Sequence, residues 1–128
     1  MNTRHVIIIR RDLHLSLGAA MAQAAHISDH FMRQKIWENP DKTIKDIFPP
    51  DVRDWMKDPY ISVLAVNNFD ELDIIFKEAN QVSLPVWLFK DTIYSEILRR
   101  PILTTTGLSI GPADFDKIKL ITGNLPAY

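Results

Sequence analysis

Apolar and polar positions along the chain repeat with two different periods, which predict alternating strands and helices. A continuous apolar run at about positions 5–10 is typical of a strand buried on both faces. From Ser16 or Gly18 to about Trp37, alanine is abundant and apolar residues recur at helical spacing. Proline disfavours helical geometry in the residue before it, so Asn39-Pro40 ends this helix. The helix face predicted to pack on the core consists of Leu17, Met21, Ala24, Ser28 and Met32.

The rest of the chain continues this alternation after a proline-bearing segment at 41–59, which we interpret as an irregular surface segment and a candidate lid. The elements predicted from there on are a short helix over Asp51–Lys57, a strand over Tyr60–Val66, a helix over Glu71–Asn80 capped by Asn68 or Asp70, a strand over Leu84–Phe89, a polar connection over Asp91–Arg100, a strand over Leu103–Ile110 broken by Gly111-Pro112, and a helix over Asp114–Thr122. This order predicts an α/β fold, with residues 1–128 forming a single-domain three-layer α/β/α sandwich around a small four-stranded mixed sheet.

Composition narrows the classes of function. The chain has no cysteine, which excludes a disulfide framework, a thiolate metal site and a cysteine nucleophile. No apolar stretch is long enough to span a bilayer and the N-terminus lacks the layout of a signal peptide, so we expect a soluble, cytoplasmic protein. The net charge of −1 means that binding to nucleic acid requires a local basic patch. The candidates for such a patch lie at strand ends or in connections and are Arg10, Arg11, Lys90, Arg99 and Arg100.

The first helix carries a polar stripe at Ala19, Gln23, His26 and His30, which share one face by their spacing. This stripe either lines a cleft, beside a helix N-terminus that favours anions, or consists of a glutamine at the edge of the core and two solvated histidines. His26 and His30 also have the i, i+4 spacing of metal ligands. A metal site needs a third ligand, which the sequence does not nominate, so no metal is predicted.

Two further groups have both a chemical and a structural interpretation. Asp91 follows a predicted strand, where a carboxylate either acts in catalysis or caps the next segment. The run Thr104–Thr106 either reflects strand propensity or offers a hydroxyl to a substrate or a water. The chain contains no Gly-x-Ser-x-Gly elbow, no glycine-rich phosphate loop and no dinucleotide-binding fingerprint.

Several separated motifs occur in an order that resembles the type 2 peptidyl-tRNA hydrolase family over nearly the whole chain. In that family a strand leads into Arg-x-Asp-Leu, a Gly-Lys pair and Ala-Gln-x-x-His, and the chain ends with Ile-Gly-Pro and Thr-Gly-His-Leu segments. The matching stretches here are Arg10-Arg11-Asp12-Leu13, Gly18-Ala19, Ala22-Gln23-Ala24-Ala25-His26, Asn39-Pro40, Leu84-Pro85 leading to Asp91, Ile110-Gly111-Pro112-Ala113 and Ile121-Thr122-Gly123-Asn124-Leu125.

The resemblance implies hydrolysis of the ester that joins a peptide to the terminal ribose of tRNA, a role in translation. It implies tRNA as partner, a homodimer, and neither a metal nor an organic cofactor. Asp91 matches the family's catalytic aspartate, Thr106 matches the threonine of the last strand, and Ser95 stands where another threonine is expected. The other matched positions are assigned to substrate binding: Arg10, Asp12, Gly18, Ala19, Gln23 and His26.

The chain departs from the family pattern at its most important cation, because Ala19 occupies the position of the active-site lysine. Losing a group that stabilises developing charge typically costs about 10²–10³ in rate. Glu96 replaces a glutamine, and the segments at 41–59 and 99–101 are longer than usual. Two hypotheses therefore remain: a divergent hydrolase with weakened activity, or an inactive member of the family that binds RNA or a protein.

Overall fold

A four-stranded mixed sheet lies at the centre of the computed structural model, which describes residues 2–128. The strands are β1 (Thr3–Arg10), β2 (Ile61–Val66), β3 (Val86–Ser95) and β4 (Arg100–Asp114). They are ordered β2-β1-β4-β3, with β1 and β2 parallel and β4 antiparallel to both of its neighbours. The helices are α1 (Leu17–Glu38), α2 (Ile44–Ile47), α3 (Pro50–Lys57), α4 (Phe69–Gln81) and α5 (Phe115–Thr122). The α/β class and the small mixed sheet are therefore confirmed.

The apolar run in β1 holds the layers together, because Val6–Ile9 is fully buried and its side chains alternate between the two faces. On one face Val6 and Ile8 pack with α4 and α5. On the other face Ile7 and Ile9 pack against Ile27 of α1. Helices thus cover both faces, as a continuously apolar strand predicts.

Polar side chains mark the helix starts. Ser16 accepts a hydrogen bond from the Ala19 amide at the start of α1, and Asn68 accepts one from the Glu71 amide at the start of α4. A side-chain acceptor satisfies an amide that the helix itself leaves unpaired. Of the two alternatives predicted at each helix start, the structure therefore has Ser16 at α1 and Asn68 at α4.

The predicted core face of α1 is partly wrong, because Ala24 and Met32 pack against the core but the first half of the face does not. Leu17 and Met21 are mostly exposed, whereas the buried positions of the helix are Ala20, Gln23, Ile27 and Phe31. Alanines surround the first half of α1 and give no strong apolar direction, so the pattern of large side chains misleads there. Gln23 lies inside because its amide finds hydrogen-bond partners there.

The segment at 41–59 contains α2 and α3, so the predicted short helix over Asp51–Lys57 is confirmed, and the segment is more regular than predicted. Its side chains join Phe31 of α1 in an aromatic cluster that we call the aromatic wedge, comprising Phe31, Phe48, Val52 and Trp55. The wedge packs on His5, near the start of β1. This segment therefore does not form a lid over the opposite end of the sheet, where Asp91 lies. The burial of aromatic rings explains its order, since rings of this size contribute heavily to a core.

The predicted connection over Asp91–Arg100 is also wrong, because β3 and β4 continue as a two-stranded hairpin. Residues 91–104, which we call the arm, extend beyond the end of β1, and their strand register runs from Asp91↔Thr104 to Ser95↔Arg100. Alternation within this stretch is typical of a strand, with Ile93 buried between exposed Thr92 and Tyr94. Likewise Gly111-Pro112 does not break β4, which continues to Asp114.

Gly107 marks the closest approach of strands and helix. A Cβ atom at this position lies 2.3 Å from the Ile8 carbonyl oxygen and 2.9 Å from Ile27 Cδ1. Only glycine fits without moving β1 or α1.

None of the helices described over residues 2–128 combines the length and the apolar character that a membrane span requires.

Candidate active site

Asp91 lies on the first pair of the arm, on the side of the sheet that α1 covers. Its side chain is one-third exposed, at 33%. Its Oδ1 accepts a hydrogen bond from the Thr92 amide at 2.8 Å, and its Oδ2 accepts one from Gln23 Nε2 at 2.7 Å. Both oxygens of an accessible carboxylate are therefore fixed by neighbouring donors.

A chain of two side-chain hydrogen bonds leads from the interior to this carboxylate. Thr106 is fully buried, and its hydroxyl donates to Gln23 Oε1 at 2.6 Å. Since the Gln23 oxygen is used as an acceptor, its amide nitrogen faces Asp91 as a donor. Gln23 itself is only 5% exposed. Thr106 thus sets the orientation of Gln23, and Gln23 sets that of Asp91.

A β-bulge places Thr106 in this chain. The register of β3 and β4 shifts between Phe89↔Gly107 and Lys90↔Thr105, which leaves Thr106 as the extra residue on β4. An extra residue changes the side to which the following side chains point, and bulges often serve this purpose beside functional sites. The bulge brings Thr106 and Asp91 to the same face of the sheet, where Gln23 joins them.

Two histidines of α1 extend the same face toward solvent. His26 Nδ1 lies 3.7 Å from Asp91 Oδ2, and the histidine side chain is 55% exposed. The His30 ring meets the Phe89 ring edge-on, with centroids 5.6 Å apart. His26 also lies near the Phe89 ring, with centroids 6.4 Å apart, so the two histidines differ in that His26 approaches the carboxylate.

Arg10 and Asp12 support the arm from the end of β1. Arg10 forms a bidentate ion pair with Asp12, with distances of 3.0 and 2.8 Å. The same guanidinium donates to the Thr104 hydroxyl and to the Thr105 carbonyl. Thr104 is the cross-strand partner of Asp91, so Arg10 fixes the strand beside the carboxylate. Because these contacts occupy the guanidinium, it acts as a structural tie in this structure.

The predicted glycine and alanine positions lie at the start of α1. Ala19 is partly buried one helical turn before Gln23, and its methyl group offers neither charge nor hydrogen bond. Gly18 is exposed, and a Cβ atom there meets nothing within 4 Å. The structure thus leaves open space at the position next to Ala19.

Ser95 is not brought to this group. It pairs with Arg100 at the far end of the arm, where its hydroxyl accepts a hydrogen bond from the Leu98 amide. Four residues along an extended strand span about 13 Å, which separates Ser95 from Asp91. Glu96 lies in the turn beyond it.

The predicted basic patch divides in two. Arg11 donates to the Ala127 carbonyl and lies near the Tyr128 ring. Like Arg10, it is therefore engaged by partners within the protein. In the described part of the chain, Lys90, Arg99 and Arg100 are exposed and form no ion pair or side-chain hydrogen bond. No group of three or more histidines and carboxylates within residues 2–128 is arranged to hold a metal ion.

Sequence reasoning missed the connections between these residues. The run Thr104–Thr106 contains no residue that predicts a bulge. The hydrogen bond between Arg10 and Thr104 joins residues 94 positions apart in the sequence. The partner of Gln23 on β3 was within reach of sequence reasoning, because Gln23 and Asp91 were both recognised as polar residues of one resemblance.

Comparisons with known proteins agree with the resemblance. A family model described as Peptidyl-tRNA hydrolase PTH2 matches residues 3–128. Over 124 residues the chain is 33% identical to a peptidyl-tRNA hydrolase of Methanothermobacter thermautotrophicus, covering 95% of this chain and 96% of that protein. Peptidyl-tRNA hydrolases of Methanococcus vannielii and Nanoarchaeum equitans are 34% and 31% identical, with at least 93% of each chain covered.

Proposed function

Since the chain belongs to the peptidyl-tRNA hydrolase PTH2 family, we propose that it hydrolyses the ester of peptidyl-tRNA or of N-blocked aminoacyl-tRNA. The observation that carries the proposal is the buried chain from Thr106 through Gln23 to the accessible Asp91 carboxylate. Preorganised polar groups of this kind suit a reaction in which water attacks a carbonyl carbon. We assign Asp91 to the reacting end of the chain.

The predicted catalytic roles of Ser95 and Thr106 are revised here from their positions. Thr106 is buried and acts on the substrate through Gln23, as a positioning residue. Ser95 contacts the tRNA at the tip of the arm instead of the ester, because it is remote from Asp91. Arg10 and Asp12 keep the arm in place, and Gly18 leaves room beside Ala19 for the substrate.

The tRNA backbone is assigned to three unengaged cations: Lys90, directly before the arm, and Arg99 and Arg100 near its tip. Each cation that neutralises a phosphate makes binding more salt-dependent. Replacing Arg99 or Arg100 by Gln is expected to weaken tRNA binding and to reduce the slope of log K against log salt by about 1. Lys77→Gln is the control, because Lys77 is exposed and lies on α4, which packs on the face of the sheet opposite α1. Equal slopes in all of these proteins contradict this assignment.

The first experiment measures hydrolysis of an N-acetylated aminoacyl-tRNA by the native protein, Asp91→Asn and Ala19→Lys. We expect slow native turnover, its loss in Asp91→Asn, and a rate increase of up to about 10²–10³ in Ala19→Lys, because lysine restores charge stabilisation. Asp29→Asn is the control, since Asp29 pairs with Arg33 on the outer face of α1. Native turnover that survives Asp91→Asn contradicts the proposed site.

A second candidate function is a tRNA-binding module without chemistry, and two observations favour it. Ala19 supplies no charge, and Arg10 and Arg11 are held by internal partners. In that case the native protein binds the substrate tRNA without turnover, and hydrolysis arises only in Ala19→Lys. The same experiment therefore separates the two functions.

The proposal extends to a homodimer that acts on tRNA in the cytoplasm. Its support is exposed apolar surface on the strands of the arm away from its tip, where Leu103 is 73% exposed. Surface of this kind often marks an interface. Light scattering is expected to give the mass of a dimer and, for Leu103→Ser, a shift toward the monomer. A native protein with the mass of a monomer contradicts this part.

A further inference from the structure

We propose that the His26 imidazole is the general base that takes a proton from the attacking water, with Asp91 as the group that orients it. This inference rests on the proposed hydrolase function. It starts from the approach of His26 Nδ1 to Asp91 Oδ2, at 3.7 Å, in a chain whose family lysine position holds alanine. A nucleophile-activating base oriented by a third group is a recurring arrangement in hydrolases.

The surroundings of Asp91 favour an orienting role for the carboxylate. Gln23 and the Thr92 amide already donate to its two oxygens, which fixes its position. His26 is the next neighbour and needs to move by less than 1 Å to form a hydrogen bond with it. Catalytic hydrogen bonds are often long before substrate binds and tighten in the complex.

A contact through Nδ1 determines what the other ring nitrogen does. When Nδ1–H donates to the carboxylate, Nε2 is left as an acceptor, because a neutral imidazole carries one proton. The side chain of His26 is 55% exposed, so solvent and substrate have access to it. The arrangement therefore presents a proton acceptor beside a fixed carboxylate.

Other side chains near Asp91 are unsuited to this task. Thr106 is buried and donates to Gln23, and Arg10 is bound to Asp12 and to β4. His30 lies one turn further along α1 and packs against the Phe89 ring. Within residues 2–128, His26 thus combines exposure with proximity to the carboxylate.

The proposed step balances in atoms and charge. The water oxygen forms a bond to the ester carbonyl carbon while His26 Nε2 takes one water proton, giving a tetrahedral oxyanion and an imidazolium. The oxyanion collapses, the bond between the carbonyl carbon and the ribose oxygen breaks, and the imidazolium returns its proton to that oxygen. The products are a peptide with a free carboxylic acid and a tRNA with a free terminal hydroxyl.

The test compares His26→Ala with His30→Ala in hydrolysis of N-acetylated aminoacyl-tRNA. General-base loss is expected to lower kcat by about 10²–10⁴ in His26→Ala with little change in KM, and to leave His30→Ala near the native rate. Added imidazole is expected to restore part of the lost rate in His26→Ala alone, which a purely structural role does not explain. Native-like kcat in His26→Ala overturns the inference and leaves the proposed function standing.

A spectroscopic measurement tests the orienting contact independently of turnover. Nitrogen-15 shifts of the ring report which tautomer a histidine adopts. With deacylated tRNA bound, we expect His26 to carry its proton on Nδ1 in the native protein and to lose this preference in Asp91→Ala, while His30 does not change. An Nε2–H tautomer at His26 of the native protein in that complex overturns the inference. A native protein without turnover contradicts the proposed function itself.

Discussion

The two halves of α1 cover the same face of the sheet but bury polar groups in opposite ways. In the first half the Gln23 amide has a partner for its oxygen and for its nitrogen. Beneath the second half, His5 lies against Phe31 and Trp55, and neither of its ring nitrogens has a partner in the described part of the chain. Burial without a partner is costly, whereas a satisfied network specifies one arrangement.

This difference separates the region that organises the site from the region that stabilises the fold. The Gln23 network holds Asp91 in one orientation and is expected to affect rate more than stability. The aromatic wedge buries large rings around His5, and its effect is expected on stability alone. Replacements in the two regions test whether the functions separate in this way.

The largest effect is expected in the wedge. Trp55→Ala removes a buried ring and the bond from its indole nitrogen to the Tyr60 carbonyl, so the free energy of unfolding falls by about 3–5 kcal/mol. Trp37→Ala is the control, because Trp37 is 85% exposed, and its effect stays within about 0.5 kcal/mol. Denaturant unfolding measures both. Equal losses in the two variants contradict the wedge as a source of stability.

The next effect depends on pH. Burial lowers the pKa of His5 from 6.5 to about 4, so the unfolded chain binds a proton that the folded protein excludes. The free energy of unfolding therefore falls as pH decreases from about 6.5 to about 4, by roughly 3 kcal/mol from this group. In His5→Leu this part of the pH dependence disappears, as measured by unfolding at several pH values.

The matched control is His30→Leu, because His30 is only partly buried and lies one turn beyond the site. That variant keeps the native dependence on pH. If His5→Leu loses stability toward pH 4 as steeply as the native protein, His5 is not the source of the acid sensitivity.

A smaller effect on stability is expected in the Gln23 network. Thr106→Val keeps the shape of the side chain but leaves Gln23 Oε1 without its donor, at a cost of about 1–3 kcal/mol. The rate of hydrolysis falls as well, because Gln23 no longer has a fixed orientation. Thr105→Val is the control, since the Thr105 contact to Arg10 uses its backbone carbonyl. The separation of the regions fails if Thr106→Val changes stability and leaves kcat unaltered.

The smallest effect is expected on the outer face of α1, between the two regions. Arg33 pairs with Asp29 at i, i+4, and both side chains are more than half exposed. Arg33→Ala is expected to cost about 0.3–0.5 kcal/mol and to leave turnover unchanged. A larger loss of stability means that the outer face contributes to the difference between the halves.

The elements of the fold were largely predictable, because β1, β2, α4 and α5 follow clear apolar periods. The predictions failed where tertiary partners decide, as at the exposed Met21 and the buried Gln23 on a helix rich in alanine. The polar sequence suggested a connection over Asp91–Arg100, whereas cross-strand pairing makes this stretch part of the arm. Local pattern does not contain such pairings.

For the site, motif order named the residues and spacing placed Gln23 and His26 on one face. The sequence could not predict the bulge at Thr106 or the hydrogen bond from Arg10 to Thr104, since each depends on strand register. The catalytic and binding roles given to Asp91, Ser95 and Thr106 remain predictions for the experiments above.

Gly107 has a consequence for how this protein can vary. A single added methyl group meets the backbone of β1 at 2.3 Å and the Ile27 side chain at 2.9 Å, so the helix and the sheet cannot keep their separation. Gln23 lies one turn before Ile27 on that helix, and a displaced helix moves its amide away from Asp91. Which residues are tolerated at position 107 is therefore determined by the length of the hydrogen bond between Gln23 and Asp91. A saturation library at this position, screened for turnover, should retain glycine alone.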